Sequence, residues 1–165
     1  MLLFMLILPK FLIKQNLYNI RPDKRLTKSK RRYFTGPASL TDLTKIISIK
    51  QHKIYNVLFK NVSRTKLHYH QGDQSLIVTG GRGRLVTYTR ISGNMKKKLK
   101  IKKKEDLPLS KGDIVFIQAG RLHWHGCIGS KDFSHLAINL ATSRGKEAKT
   151  VWYESDYKTF AKRMN

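Results

Sequence analysis

From Ile54 to Leu140 the chain is cut into short runs of β-branched and aromatic residues, with turn residues between them. Ile54–Phe59, Leu67–His70, Ser75–Thr79, Arg84–Arg90 and Ile114–Ile117 each have the length and composition of a strand. Gly72-Asp73, Gly80-Gly81-Arg82-Gly83, Lys111-Gly112-Asp113 and Ala119-Gly120-Arg121 read as the turns. Ile46–Ile49, Leu107–Leu109, Phe133–Leu140 and Val151–Tyr153 extend the series to nine or ten strands. In Phe133–Leu140, His135 shares strand parity with Ala137, while Leu136, Ile138 and Leu140 take the other face and are expected in the core. Helical periodicity is nearly absent, and Asp156–Lys162 is expected to form a short C-terminal helix. This pattern specifies an all-β chain, a sandwich or barrel of the jelly-roll kind.

At 165 residues the chain suits one domain with a sizeable core. Its one cysteine, Cys127, excludes an internal disulfide and a cysteine-based zinc finger, and fits a reducing compartment, read as cytoplasmic. The net charge of +24 suggests an anionic partner, but its distribution argues otherwise. Residues 1–32 carry nine basic residues against Asp23, and residues 93–106 carry seven lysines against Glu105 and Asp106. A basic tail and a basic loop on a folded body do not make a binding groove, so specific nucleic-acid binding is not expected. Residues 1–32 read as an extension and 33–165 as the domain. The apolar run Met1–Leu8 is too short to span a bilayer and lacks the preceding charge of a signal peptide. It reads as a ragged extension, a start placed too far upstream, or a peripheral anchor. The run Lys96–Lys104 is expected as an exposed hairpin whose Leu99 and Ile101 lean on the body, rather than as a phosphate-binding or nuclear-localisation patch.

Five of the six histidines gather in two clusters and their neighbourhood. In Leu67-His68-Tyr69-His70 the i, i+2 spacing sends both imidazoles to one strand face, and Gln74 returns across the Gly72-Asp73 turn. His123-Trp124-His125-Gly126 repeats the pattern, and His135 follows. One H-x-H is weak evidence, since such residues often face water or simply pack. Two pairs beside turn glycines are a stronger signal. Three neutral imidazoles and one amide oxygen suit a divalent first-row ion.

The stretch resembles the cupins. Their first motif places a carboxylate and then a glycine after H-x-H; here His68 and His70 are followed by Gln74 and Gly81. Their second motif runs G, five residues, P-x-G, two residues, H, three residues, N; here it is Gly112, Gln118-Ala119-Gly120, His123 and Cys127. Val62 replaces the leading glycine of motif one, and Gln74, Gln118 and Cys127 replace the usual Glu, Pro and Asn. The resemblance covers about residues 54–142. It tightens to a subgroup with glutamine at the fourth metal position, an H-W-H-G motif and an upstream W-F-T-G, here Tyr33-Phe34-Thr35-Gly36. It implies a cupin jelly-roll β-barrel, a metal held by His68, His70, Gln74 and His123, and in many members a homodimer. The metal would be Mn, Fe, Ni or Zn.

Replacing Glu by Gln removes a negative charge beside the ion, which strengthens it as a Lewis acid and favours anionic chelating substrates. His125 then reads as a ligand, a general base or a substrate contact, and His135 as another base or a group orienting a ligand; both are expected to face the metal's cavity and serve catalysis, or else to pack as hydrogen-bonded rings. The expected function is a metal-dependent enzyme acting on a small oxygenated or cyclic anionic metabolite. O₂-dependent cleavage comes first among the reactions, then decarboxylation or isomerisation. A non-catalytic, metal-stabilised module binding a small ligand is the alternative, and a basic scaffold for nucleic acid or membrane a third.

Overall fold

The computed structural model describes residues 32–46, 51–94, 97–154 and 160–164. Eleven strands follow in chain order: β1 (Ala38–Asp42), β2 (Lys53–Phe59), β3 (His68–His70), β4 (Gln74–Gly80), β5 (Arg82–Gly93), β6 (Lys98–Ser110), β7 (Ile114–Ile117), β8 (Leu122–Cys127), β9 (Phe133–Asn139), β10 (Thr150–Trp152) and β11 (Phe160–Lys162). They form two antiparallel sheets, ordered β1-β2-β9-β4-β7 and β10-β3-β8-β5-β6-β11. No helix occurs among the described residues. The architecture is the expected jelly roll.

The main core lies between the sheets. Val57 and Phe59 of β2, Leu76 and Val78 of β4, Leu85 of β5 and Phe133 of β9 pack there. Each is an inward residue of an alternating strand, so period-two patterning and burial agree. Leu136, Ile138 and Leu140 do not join this core. The buried side of β9 is Phe133, His135 and Ala137, and the three aliphatic residues are only partly buried. The strand's polar-looking face is the inner one because that is where the histidine goes.

A second core sits on the other face of the six-stranded sheet. Val86 and Tyr88, alternating with Leu85, point there, joined by Leu67, Leu122, Leu99, Ile101, Val151, Tyr153 and Ala161. The sheet curls until its two ends meet, where Tyr153 bridges Arg163 and the Met164 amide donates to the Trp152 carbonyl. A small hydrophobic interior is thereby closed off behind the sheet.

The lysine run is a paired strand rather than a loop tip. Lys98, Lys100, Lys102, Lys103 and Lys104 are exposed, while Leu99 and Ile101 are buried in the second core, as the alternation suggested. The expected C-terminal helix is not seen among the described residues. Phe160–Lys162 is strand β11, antiparallel to Lys98–Lys100, and its exposed-buried-exposed pattern puts Ala161 into the second core. Residues 155–159, the N-terminal extension to residue 31 and residues 47–50 of the expected strand at Ile46–Ile49 lie outside the described residues; Ile46 itself is in a turn.

Candidate metal centre

β3 and β8 are antiparallel neighbours with His68 directly opposite His123. Period-two geometry sends His68, His70, His123 and His125 into the space between the sheets. The residues between them, Tyr69 and Trp124, go the other way and pack on the second core. The opposite sheet contributes Gln74, at the start of β4, and His135, in the middle of β9. All five imidazoles and Gln74 are buried. One ring nitrogen each of His68, His123 and His125 lies within 4.8 Å of the others. The His70 ring centroid is 5.0 Å from that of His68.

Hydrogen bonds fix which nitrogens are free. His68 Nδ1 is 2.8 Å from the Lys66 carbonyl, and His123 Nδ1 is 2.7 Å from the Arg121 carbonyl. A carbonyl only accepts, so each Nδ1 carries the proton and each neutral ring offers a lone pair at Nε2. Gln74 Nε2 donates to Asn139 Oδ1 at 2.8 Å, which turns Gln74 Oε1 toward His123 Nε2 at 3.2 Å. Two acceptors thus face each other. Either an added proton or a cation makes that contact favourable. Burial pushes the His123 pKa down to about 4, so at neutral pH the proton is disfavoured. His70 Nδ1 contacts the Thr150 hydroxyl at 2.9 Å, and its Nε2 is buried without a hydrogen-bond partner among the described residues. Burial pushes His70 down to about 3, and it holds His68 well below the usual histidine range, with the neighbouring imidazoles adding to the effect. These are the features that a neutral N/O donor set for a first-row divalent ion needs, and the residues fit such an ion.

His125 and His135 form a dyad, with His125 Nδ1 and His135 Nε2 3.0 Å apart. Burial lowers both, His135 to about 4 and His125 well below the usual histidine range, where the charge of His135 also opposes a second proton. The His125 backbone is pinned by the crossing segment 63–65: the Thr65 amide donates to the His125 carbonyl, and the His125 amide donates to Thr65 Oγ1. Gly126 allows this crossing, because a Cβ there would run into Arg64 and the Ser63 carbonyl.

A cavity of about 460 Å³ opens beside the histidines. His68, His70, Gln74 and His125 line it, and His123 and His135 stand behind them, fully buried. Its walls include Phe34, Val57, Ala137 and Trp152, and Tyr33 stacks on Trp152, which stacks on His68. The structure therefore brings all six sequence-derived site residues together, His125 among the three closest and His70 beside them. Sequence reasoning missed Asn139, which orients Gln74, and Thr150, which holds His70. Asn139 shares parity with His135 and Ala137 on β9, and that parity was the available signal.

No family model and no curated protein matches the sequence. Solved structures do match. A cupin-like protein of Thermotoga maritima is 27% identical, over 83% of this chain and 89% of that one, with a TM-score of 0.59. The oxalate decarboxylase of Bacillus subtilis is 15% identical, over 70% of this chain but 27% of the decarboxylase, with a TM-score of 0.52.

Proposed function

We propose that this chain, a cupin by its fold, is a metal-dependent enzyme acting on a small oxygenated, anionic metabolite. The observation that carries the reading is the pair of facing acceptors, His123 Nε2 and Gln74 Oε1, beside two further imidazoles whose Nδ1 atoms are already occupied. His68, His70, His123 and Gln74 hold the ion, which supplies Lewis acidity toward a substrate oxygen. The solved structures of the Bacillus oxalate decarboxylase include work on its Mn(II) centres, in keeping with Mn among the candidates Mn, Fe, Ni and Zn. With no carboxylate among the proposed ligands, the ion keeps its full positive charge and favours an anionic substrate.

His125 and His135 handle protons. When His125 Nδ1–H donates to His135 Nε2, His125 Nε2 is left with its lone pair, and it accepts a proton from a substrate in the cavity that His125 lines. Phe34, Val57, Ala137 and Trp152 give the cavity an apolar wall for the body of the substrate. O₂-dependent C–C or ring cleavage is the first reaction to test, and decarboxylation the second. The buried cysteine is consistent with a cytoplasmic protein. A homodimer is supported by the outer face of the five-stranded sheet, where Ile114 and Phe116 are 73% and 63% exposed beside partly buried Leu136 and Ile138.

Elemental analysis of the purified protein, with paramagnetic resonance spectra before and after O₂, tests the reading. The expected result is near-stoichiometric metal whose spectrum changes with O₂ and a candidate acid. Protein purified and reconstituted without retaining any first-row ion overturns it.

A further inference from the structure

The inner face of β2 grades from charged to apolar along the strand: Lys53, Tyr55, Val57, Phe59. The first three line the cavity. A lysine on the barrel side of a strand is unusual, since ammonium groups are ordinarily left in water. Its register explains its position. Lys53 pairs with Asn139, and Asn139 pairs with Gln74, so the three stand in one row across β2, β9 and β4. Two interstrand spacings, about 10 Å, separate the Lys53 and Gln74 backbones. In the next row Ala137 lies between Tyr55 and Leu76, and its small side chain leaves the floor of the cavity open.

The Lys53 ammonium is not committed to the fold. Its ion-pair partner is Glu147 at 3.6 Å, on the segment between β9 and β10, and Glu147 is 62% exposed. Such a pair is weak and is exchanged readily for a better-placed anion. Tyr55 lies two residues along the same face. Burial, with Asp42 and Glu147 nearby, pushes its hydroxyl up to about 12, so it stays an O–H donor at any working pH.

We infer that Lys53, with Tyr55 beside it, is the anchor for a carboxylate of the substrate, which takes the place of Glu147. The site then selects small organic acids: the carboxylate at Lys53, the body over Ala137 against the apolar wall of Phe34 and Val57, and an oxygen function at the histidine end. This inference rests on the proposed function for its far end only. The anchor itself consists of residues remote from the metal donors.

Calorimetric titration of the full-length protein with benzoate and with benzamide, its neutral near-isostere, tests the anchor. Both titrations are run on metal-replete and on chelator-treated protein. Benzoate is expected to bind about tenfold more tightly than benzamide in both preparations. Lys53→Met is expected to remove that preference and leave benzamide binding in place. Glu147→Gln, a change at an exposed position, is expected to tighten benzoate several-fold and serves even if Lys53→Met does not fold. A preference for benzoate that disappears with the metal assigns the carboxylate to the ion and overturns the anchor. So does a preference unchanged in Lys53→Met, a benzoate affinity unchanged in Glu147→Gln, or millimolar probe with no binding of either kind. Absence of metal with the preference intact overturns the metal reading and upholds the anchor.

Discussion

Two backbone carbonyls decide what the histidines of β3 and β8 can do. The Lys66 and Arg121 carbonyls each accept a hydrogen bond from an Nδ1–H and leave Nε2 as the only ligand atom. His68→Ala and His123→Ala are therefore expected to lose most bound metal, measured as metal per protein after gel filtration. Asn139 acts one step back, through the amide of Gln74. Asn139→Ala frees that amide to rotate, and metal affinity should fall by about 10- to 100-fold in a competition titration, as for other groups that orient ligands. Unchanged affinity would show that Gln74 does not coordinate. The H-x-H pairs were legible in the sequence because strand parity is a property of neighbours. Asn139 was not, because its role depends on the register between β4 and β9, which are separated by more than fifty residues of chain. The Tyr33-Phe34-Thr35-Gly36 motif was legible only by resemblance. Its physical content is the stack of Tyr33 on Trp152 and the bond from the Thr35 amide to the Arg64 carbonyl.

Among the elements, β6 was the hardest to read. Its lysines dominate the composition, and its pairing with β5 shifts register twice, between Thr87 and Tyr88 and between Arg90 and Ser92. Parity cannot be carried through a bulge, so the alternation of Leu99 and Ile101 does not continue to Leu109 in one phase. β11 is three residues long, and a strand that short is defined by its partner rather than by its own sequence. The second core makes a sharp contrast testable on adjacent residues. Leu99 is fully buried and Lys100 exposed. Leu99→Ala should cost about 2–5 kcal/mol in denaturant unfolding, while Lys100→Ala should stay within about 0.5 kcal/mol. Equal effects would mean that β6 is not anchored through this core. The lysine ion pairs on the same strand, such as Lys103 with Asp106, are exposed and contribute little.

For the whole molecule, five buried neutral imidazoles set the response to acid. Their folded pKa values lie below the ordinary 6.5, so below that pH the unfolded chain binds more protons than the folded one. Stability is thus fully present above about pH 6.5 and is lost as pH falls toward 4. The melting temperature of chelator-treated protein should be flat above pH 7 and drop steadily below 6.5. A melting temperature flat down to pH 5 would contradict the burial of these rings. Deletion of residues 1–31 should leave a single cooperative transition, since their sequence lacks the turn residues and strand alternation of the domain; loss of that transition would show that the segment completes the fold. Phe116→Glu, on the outer sheet face, should shift a dimer to monomer in sedimentation without lowering the melting temperature.

The chain has two tryptophans, and one of them stands against the histidines while the other packs on the second core. Trp124 separates His123 from His125 on β8, and Trp152 lies flat against His68 with centroids 4.3 Å apart. Part of the ultraviolet emission of the native protein consequently originates directly beside the imidazoles. An open-shell ion seated among the imidazoles would darken it, whereas closed-shell zinc would leave it bright. The molecule carries its own optical gauge, by which occupancy and the class of ion can be read from unlabelled protein in a cuvette.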